Sequence, residues 1–422
     1  MTSVINLTNQ VFHKLGPKYT EPRPIQTQLL RQLTEDRPKL AMVEAPVGIG
    51  KSALGIAYGE LIGSKLTTVL TATISLQEQY ERDFSDMVVF KGRGNYACED
   101  NGLSAAEGVC MSRPGYRCDS DYYVMRRGVE QARRVAANYA VYLNHLFYSR
   151  LDHKPDLLVC DEGHRLLDIL TQFETVKLDA GLCRKLKLPL PQAPFDSLEY
   201  TQAWARDFKS TVQSSMQDAI INGDKKAKLW SQLYRQMTGI LDAGEDYITL
   251  KTGEVLEAAP LWPRKAAKRL FGSARNVLIQ SATLYGGHTL AELLGIGPDL
   301  SSAITGPIRQ QGEVVLSGQY GAGIPSYSFY TVPSPFDSAR WPTYFRPVVS
   351  LNKGSTDAEW GRMAEVVHDY VHRYSSVKGV IHVAARNQVA RVCARIVRCS
   401  NCRTRCLLPS KQPRGDRSEL LA

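Results

Sequence analysis

A short glycine-containing segment constrains the fold more than any other feature of the sequence. Glu44-Ala45-Pro46-Val47-Gly48-Ile49-Gly50-Lys51-Ser52 lies between an apolar run, Leu40–Val43, and a helical pattern, Ala53–Leu61. Glycines at such a junction let backbone N–H groups close around phosphate oxygens at the start of a helix. Lys51 would then reach the β- and γ-phosphates of ATP, and Ser52 would bind Mg²⁺. The segment therefore predicts a P-loop between a strand and a helix.

A pair of acidic residues supplies the second half of such a site. Asp161-Glu162-Gly163-His164 follows directly after the apolar run Leu157–Cys160. Asp161 can hold Mg²⁺ and Glu162 can polarise an attacking water. An acid pair after a strand is commonly just a helix cap, but its combination with a P-loop favours hydrolysis. Cys160 is interpreted as a buried core thiol.

Short apolar runs recur along the chain with helical patterns between them. Runs of this length are typical of strands that are buried on both faces of a parallel sheet, so the predicted class is α/β. Two stretches interrupt the pattern: residues 91–137 are rich in Gly, Cys and Arg, and residues 165–260 are predicted to be largely helical. The predicted strands are Leu40–Val43, Thr67–Thr71, Met87–Phe90, Leu157–Cys160, Val277–Ile279 and Val380–Val383.

The composition of the chain limits the cellular compartments and the binding partners that we expect. No run of 18 or more apolar residues occurs, so no membrane contact is expected, and the N-terminus lacks a signal-peptide pattern. We expect an intracellular protein, cytoplasmic and nucleoid-associated if bacterial or viral, whose nine cysteines are thiols or metal ligands rather than disulfides. Much of the net charge of +10 lies in residues 383–422. That excess suits a polyanionic partner or a solvated basic tail.

The two nucleotide motifs together resemble those of superfamily 2 helicases, in which the acidic box is usually Asp-Glu-Ala-His. Four further segments match in the expected order: Arg23–Gln26, Thr71–Gln79, Ser281–Leu284 and Gly379–Val383. The resemblance implies that Gln26 contacts adenine, that Thr71–Gln79 grips the DNA backbone, and that a second motor lobe starts at Gly379–Val383. It also implies that hydrolysis is coupled to movement by His164, Ser281 and Thr283.

A cysteine cluster makes the resemblance more specific. The stretch Lys91–Cys98 resembles the XPD/DinG family, in which four cysteines hold a four-iron, four-sulfur cluster. Cys98, Cys110 and Cys118 match three of these ligands, and Asp121 stands in place of the fourth cysteine. Thiolates are the usual ligands of such clusters. Zinc, or no metal at all, remains an alternative for this group.

Basic and aromatic residues accompany these cysteines. Together they predict a surface that guides single-stranded DNA, because cations neutralise phosphates while aromatic rings stack on bases. A solvated helix face is the alternative. The residues concerned are Arg93, Arg113, Tyr116, Arg117, Tyr122, Tyr123, Arg126, Arg127, Arg133 and Arg134.

A second cysteine group lies in the basic C-terminal stretch. Cys393, Cys399, Cys402 and Cys406 follow a spacing of C-x5-C-x2-C-x3-C, which fits no ligand framework that we can justify. Zinc is conceivable there, but we interpret these as incidental cysteines.

The resemblance implies a RecA-like motor domain with two insertions and a partial second RecA-like lobe. It implies an ATP-dependent helicase acting on single-stranded DNA and DNA junctions, moving 5′→3′, with ATP, Mg²⁺ and an iron–sulfur cluster. The implied ranges are 1–90, 138–164 and 263–287 for the first lobe, 91–137 for the cluster insertion, 165–262 for a helical arch, and 288–422 for the second lobe.

One expected motif is missing from the sequence. The family carries a late Gln-x-x-Gly-Arg-x-x-Arg motif that supplies an arginine finger, and no such motif occurs here. We therefore expect either a piece of a longer protein or a form that binds ATP and DNA with little turnover. An RNA helicase is a further alternative, which the cysteine insertion disfavours.

Overall fold

The computed structural model divides into two compact units, residues 1–335 and residues 336–422. None of the helices formed by the described residues is long and apolar enough to cross a membrane. The structure describes residues 2–16, 18–98, 104–105, 120–148, 154–189, 197–222, 224, 226–284, 287–296, 316–317, 327–335, 346–352, 354–374, 376, 380–381, 383, 386–399 and 402.

A mostly parallel sheet forms the centre of the first unit. Its strands are ordered β10-β11-β1-β9-β5-β2-β4-β3, and every pair is parallel except β10 with β11. The α/β class is therefore confirmed. The strands are β1 Leu40–Glu44, β2 Thr67–Thr71, β3 Met87–Phe90, β4 Arg134–Asn138, β5 Leu157–Asp161, β6 Val176–Asp179, β7 Tyr247–Thr252, β8 Val255–Pro260, β9 Asn276–Ser281, β10 Leu316–Ser317 and β11 Tyr327–Thr331.

Helices cover both faces of this sheet. Alternate residues of β1 point to opposite faces, so that Leu40 and Met42 join one core while Ala41 and Val43 join the other. This two-sided burial explains why the strand is a continuous apolar run. The helices are α1 Thr2–Leu15, α2 Pro24–Asp36, α3 Lys51–Leu61, α4 Ile74–Asp83, α5 Asp121–Gln131, α6 Tyr139–Tyr148, α7 Leu166–Glu174, α8 Ala180–Lys185, α9 Leu198–Ile221, α10 Ala227–Asp242, α11 Arg264–Phe271, α12 His288–Leu293, α13 Asp357–Arg373, α14 Arg386–Val392 and α15 Ala394–Arg398.

The first predicted insertion ends earlier than expected. Strand β4 pairs in parallel with both β2 and β3, so residues 134–137 belong to the main sheet rather than to the insertion. The strand was missed because Arg134 interrupts its apolar pattern. Arg134 is buried and forms ion pairs with Glu60 and Asp86, which satisfy its charge inside the fold.

The second predicted insertion is a helical hairpin built on a small sheet. Trp204 and Val212 of α9 pack with Leu233 and Met237 of α10, so apolar residues of the two helices form the packing between them. The prediction of a largely helical segment is incomplete, because β6, β8 and β7 form a three-stranded antiparallel sheet. Most of β7 is exposed, including Ile248 and Leu250, although the sequence Ile248-Thr249-Leu250-Lys251 alternates apolar and polar residues as a strand does.

The predicted boundary between the lobes, at 287/288, is wrong. Strand β11 pairs in parallel with β1, which places residues 327–331 inside the first unit's sheet. The first unit therefore extends to Pro335.

The predicted strand Val380–Val383 is also not found. Val380, Ile381 and Val383 have no regular secondary structure, and Val380 is 79% exposed. A strand needs a neighbour to satisfy its backbone groups. Among the described residues of the second unit there is no other strand, only α13, α14 and α15. The assignment of this unit to a partial RecA-like lobe stays a prediction.

Candidate nucleotide-binding and coupling site

The segment that was predicted to be a P-loop connects β1 to α3 through two glycines in the left-handed region. Gly48 and Gly50 have φ angles of 84° and 85°, which other residues rarely adopt, and α3 begins at Lys51. A Cβ atom on Gly50 would lie only 2.8 Å from the Nε2 atom of Gln26. The loop thus needs glycine both for its backbone angles and for this close approach.

Lys51 lies within the electrostatic reach of both predicted catalytic acids. Its Nζ atom donates to the carbonyl oxygens of Ala45 and Pro46, at 3.1 and 3.3 Å. Burial lowers the pKa of Lys51, while the carboxylates of Glu162 and Asp161 act to raise it. The cation is therefore held over the loop and beside the carboxylates.

Gln26 connects helix α2 to the predicted P-loop through hydrogen bonds. Its Oε1 atom accepts from the backbone N–H of Arg23, and its Nε2 atom donates to the carbonyl of Ile49, each at 2.8 Å. Arg23 in turn donates to the carbonyl of Gly48. Gln26 thus supports the loop through its backbone. The adenine contact that the resemblance implies stays a prediction.

Asp161 is a buried carboxylate at the end of β5, only 5% exposed. Tyr80 donates to its Oδ2 atom at 3.0 Å, and Gln280 donates to its Oδ1 atom at 3.2 Å. Burial raises the pKa of Asp161, and these two hydrogen bonds oppose the rise. Tyr80 also hydrogen-bonds to Ser52, so one phenol lies between the two predicted Mg²⁺ ligands.

Glu162 adopts a backbone conformation that is unusual for its residue type. Its φ and ψ angles of 53° and 47° lie in the left-handed region, which costs on the order of 1–3 kcal/mol for a non-glycine residue. The next residue must be glycine, because a Cβ on Gly163 would lie 2.4 Å from Cγ2 of Ile279. This contact explains why the third position of the box is Gly rather than Ala.

The three predicted coupling residues lie together. Nδ1 of His164 is 2.8 Å from Oγ of Ser281 and 3.3 Å from a carboxylate oxygen of Glu162. The backbone N–H of Thr283 is 3.4 Å from the same Oγ atom of Ser281. A chain of polar contacts thus leads from the predicted catalytic acid to the segment after β9.

Three residues of this site were missed by the sequence analysis. Tyr80 and Gln280 contact Asp161, and Glu44 accepts the backbone N–H of Leu284 at 2.6 Å. Gln280 carried a usable signal, since it is a polar residue in an otherwise apolar strand. Tyr80 carried none, because an aromatic residue on an amphipathic helix is usually core.

The predicted DNA-guiding surface is only partly compatible with the structure. Tyr122 is 2% exposed and lies beneath the guanidinium of Arg93, at 4.7 Å, so it cannot stack on a base in this arrangement. Arg134 is buried in ion pairs, as described above. Arg127 and Arg133 are exposed and stay candidates, as does the half-buried Arg126. Arg113, Tyr116 and Arg117 lie outside the described residues.

The motif Thr71–Gln79 serves mainly to support the first lobe in this structure. Gln77 is fully buried and its Nε2 atom donates to the carbonyl of Phe90 at 3.1 Å. Thr73 caps helix α4 by accepting the backbone N–H of Leu76. The DNA contact implied for this segment stays a prediction.

The predicted iron–sulfur ligands are described only in part. Cys98 is buried, and Asp121 is an exposed residue in the first turn of α5, whereas Cys110 and Cys118 lie outside the described residues. An acidic residue at the start of a helix also stabilises the helix dipole. Cys160 is fully buried and burial raises the pKa of its thiol to about 12, in agreement with a core role.

Comparison with known proteins gives structural neighbours only. No family model and no curated protein matches the sequence. An XPD helicase structure is 13% identical with a TM-score of 0.47, covering 89% of this chain and 74% of its own. An apo XPD structure is 14% identical with a TM-score of 0.44, covering 89% and 72%. The Hef helicase domain of Pyrococcus furiosus is 13% identical with a TM-score of 0.30, covering 89% and 54%.

The P-loop strand β1, the acid-box strand β5 and the coupling strand β9 are neighbours in one parallel sheet. Their carboxyl ends therefore meet at one edge, which is where α/β proteins bind ligands.

Proposed function

We propose that this chain is an ATP-dependent helicase or translocase that acts on single-stranded DNA. The observation that carries the proposal is the polar chain that starts at Asp161, within the electrostatic reach of Lys51, and continues through Glu162 and His164 to Ser281. A motor must transmit the state of its nucleotide to other parts of the fold, and these contacts link the phosphate site to the adjacent strand.

The residues fit ATP and Mg²⁺ on their geometry. The P-loop backbone is set by two glycines with positive φ, Lys51 lies over it, and Tyr80 connects Ser52 with Asp161. Lys51 would bind the β- and γ-phosphates, and Ser52 and Asp161 would hold Mg²⁺, which would supply neutralisation of phosphate charge at this site. Glu162 orients and polarises the attacking water.

The contact between His164 and Ser281 changes according to whether a γ-phosphate is bound. Nδ1 of His164 lies beside both Glu162 and Ser281, so a shift of the Glu162 carboxylate towards water changes the bond to Ser281. Thr283 follows Ser281 through its backbone N–H. These residues position others and do not touch the reacting atoms.

The iron–sulfur cluster and the DNA path are part of the same proposal. Cys98, Cys110, Cys118 and Asp121 supply the ligands of a four-iron cluster, with zinc or no metal as the alternatives. Exposed Arg127 and Arg133 contribute phosphate contacts near it. A 5′→3′ direction of movement and a preference for junctions are the family's properties and are proposed here on that basis.

The test is ATP hydrolysis by the 422-residue chain, measured with and without single-stranded DNA. Hydrolysis is expected to be slow, since the sequence supplies no arginine-finger motif, but stimulated by DNA. Glu162→Gln should abolish it while ATP and DNA binding persist. Equal hydrolysis by the Glu162→Gln protein would refute the assigned role of Glu162.

The same assay separates the other candidates. ATP and DNA binding with no hydrolysis in the unmutated protein would favour a non-catalytic DNA-binding protein, which the missing motif supports. Stimulation by RNA and not by DNA would favour an RNA helicase. Forked substrates with a single 5′ or 3′ tail report the direction of movement.

A further inference from the structure

Two histidines and two cysteines of the second unit converge at one point. His368 and His372 lie one turn apart on helix α13, whereas Cys399 follows α15 and Cys402 lies three residues further on. One ligand atom from each lies within 4.8 Å of the others. We propose that these four residues bind a single Zn²⁺ ion that stabilises the second unit.

The spacing and the donors suit zinc. Structural zinc sites combine a C-x2-C pair with an H-x3-H pair, the spacing found here, and four protein ligands complete a tetrahedron. With Zn–N of about 2.0–2.1 Å and Zn–S of about 2.3 Å, ligand atoms in such a site lie about 3.3–3.8 Å apart. The Nε2 atom of His372 is already 3.3 Å from Sγ of Cys399. Small side-chain rotations would bring the other pairs into this range.

His368 provides a second observation. Its Nε2 atom is buried and has no hydrogen-bond partner among the described residues. A buried polar atom without a partner is unfavourable for folding, and coordination of a metal would remove this cost. The rings of His368 and His372 lie edge to face with centroids 4.6 Å apart, so both can turn a nitrogen towards one ion.

The packing of this unit gives the ion a role. Its buried apolar cluster consists of Cys393, Ile396 and Cys402, with half-buried valines around it. A core of this size gives little stability, and small domains commonly supplement it with a metal. Cys393 belongs to this core but not to the four-residue group. The structure thus pairs two of the tail cysteines with histidines that the sequence analysis did not consider.

An iron–sulfur centre fits the geometry less well. Four-iron clusters take four thiolates, and a Rieske-type centre carries its two histidines and its two cysteines on different irons. Here His372 and Cys399 are in direct contact, which favours one ion with mixed nitrogen and sulfur ligands.

The experiment measures zinc, iron and acid-labile sulfide in the purified 422-residue chain, produced with added zinc and without chelators. We expect one zinc per chain that survives Cys98→Ser and Cys393→Ser, the latter being a matched control from the same small core. A combined His368→Ala and Cys399→Ser exchange should remove it. Zinc retained by that doubly exchanged protein, or iron and sulfide lost in its place, would overturn the proposal.

A second variant guards against simple misfolding. His372→Cys keeps four ligands and should still bind Co²⁺, with stronger thiolate-to-metal absorption than the unmutated chain because a third sulfur is present. An identical Co²⁺ spectrum for the two proteins would show that His372 is not a ligand. No uptake of Zn²⁺ or Co²⁺ by the unmutated chain would mean that the four residues form only an ordinary hydrogen-bonded cluster.

Discussion

Two regions of the molecule differ in what supports them. The first, called the nucleotide edge, is the proposed nucleotide site at the carboxyl ends of β1, β5 and β9 in the first unit. The second, called the His–Cys group, consists of His368, His372, Cys399 and Cys402 in the second unit. The nucleotide edge rests on a sheet whose two faces are both covered by helices. It holds a buried carboxylate and a left-handed Glu162, because the surrounding strands fix both in place. Among the described residues, the His–Cys group lies in a small buried cluster that contains Cys393, Ile396 and Cys402.

This contrast suggests different uses of polar groups. At the nucleotide edge, stability from the sheet offsets polar groups that are unfavourable for folding and serve the proposed chemistry. In the second unit, polar ligands are proposed to supply stability that the core lacks. Substitutions should therefore have opposite effects on stability in the two regions. Removing a buried charge at the nucleotide edge should stabilise the first unit, whereas removing a ligand of the His–Cys group should destabilise the second unit.

The largest expected effect tests whether the two regions are functionally separate. We predict that Lys51→Ala lowers ATP hydrolysis by about 10²–10³-fold, because the phosphates lose a fixed cation. Zinc content and single-stranded DNA binding should not change, as they depend on other groups. Lys39→Ala is the matched control, since Lys39 is exposed and directly precedes β1, the strand that leads into the loop.

Two results would contradict this separation. Unchanged turnover in the Lys51→Ala protein would refute the nucleotide site. Loss of zinc in the same protein would show that the metal binds near the P-loop rather than at the His–Cys group.

The next prediction concerns close packing at the nucleotide edge. Gly163→Ala places a methyl group within 2.4 Å of Cγ2 of Ile279, and overpacking of this kind costs about 1–3 kcal/mol. The first unit should unfold at a lower temperature, which calorimetry measures. Gly128→Ala is the control, because a Cβ there meets nothing within 4 Å. That helix position should gain about 0.5–1 kcal/mol.

If the Gly163→Ala protein unfolds at the same temperature as the unmutated protein or higher, then β9 can shift at little cost to make room for the methyl group. The sheet would then not hold the nucleotide edge rigidly. The effect on hydrolysis should follow the same order, since Gly163 lies between Glu162 and His164.

Local patterns made much of the first unit predictable. The P-loop and the acid box are contiguous in sequence, and their strands are apolar because both faces are buried. Strands β7 and β4 were missed for different reasons: the alternation Ile248-Thr249-Leu250-Lys251 of β7 lies in a segment predicted to be largely helical, and β4 starts with the buried cation Arg134. Strand β11 could not be assigned to the first sheet, because pairing with β1 spans almost 290 residues, from Leu40 to Tyr327.

The site residues, like the strands, were predictable where they belong to a contiguous sequence motif. Lys51, Asp161 and Glu162 were found through motifs, whereas Tyr80 contributes through tertiary contact alone. In the second unit, spacing within the basic stretch suggested four cysteines as one group. The structure instead brings Cys399 and Cys402 to a helix that lies about 30 residues earlier, as the separation of His372 and Cys399 shows. Ligands contributed by separate elements leave no contiguous pattern.

The smallest expected effect on stability concerns the charge of Asp161. Burial raises its pKa, so the folded state favours the neutral acid, and the stability associated with this shift is present at low pH and is lost as pH rises through the folded-state pKa. We predict that Asp161→Asn abolishes hydrolysis yet stabilises the Mg²⁺-free first unit by about 1 kcal/mol at neutral pH, as is common when a functional charge is removed.

Two of the three neighbouring donors can accept this exchange. Tyr80 can donate to the new amide oxygen, and Gln280 can turn so that its Oε1 atom, which has no hydrogen-bond partner among the described residues, accepts from the new amide nitrogen. The backbone N–H of Glu162, which donates to Oδ1 of Asp161 at 3.1 Å, loses its acceptor, and this loss keeps the expected gain small. The gain should be largest at neutral pH and should shrink as pH falls, because Asp161 then becomes protonated and neutral in the unmutated protein. Thermal unfolding over a series of pH values measures this difference directly.

Asp161→Ala is the control, since it removes the charge and the acceptor together. It should destabilise the unit at every pH, because Tyr80 and Gln280 both lose their partner in a buried position. If Asp161→Asn proves less stable than the unmutated protein at neutral pH and equal to it in acid, the ionised carboxylate must be favourable in the fold. The nucleotide edge would then resemble the His–Cys group, with its polar contacts contributing to stability.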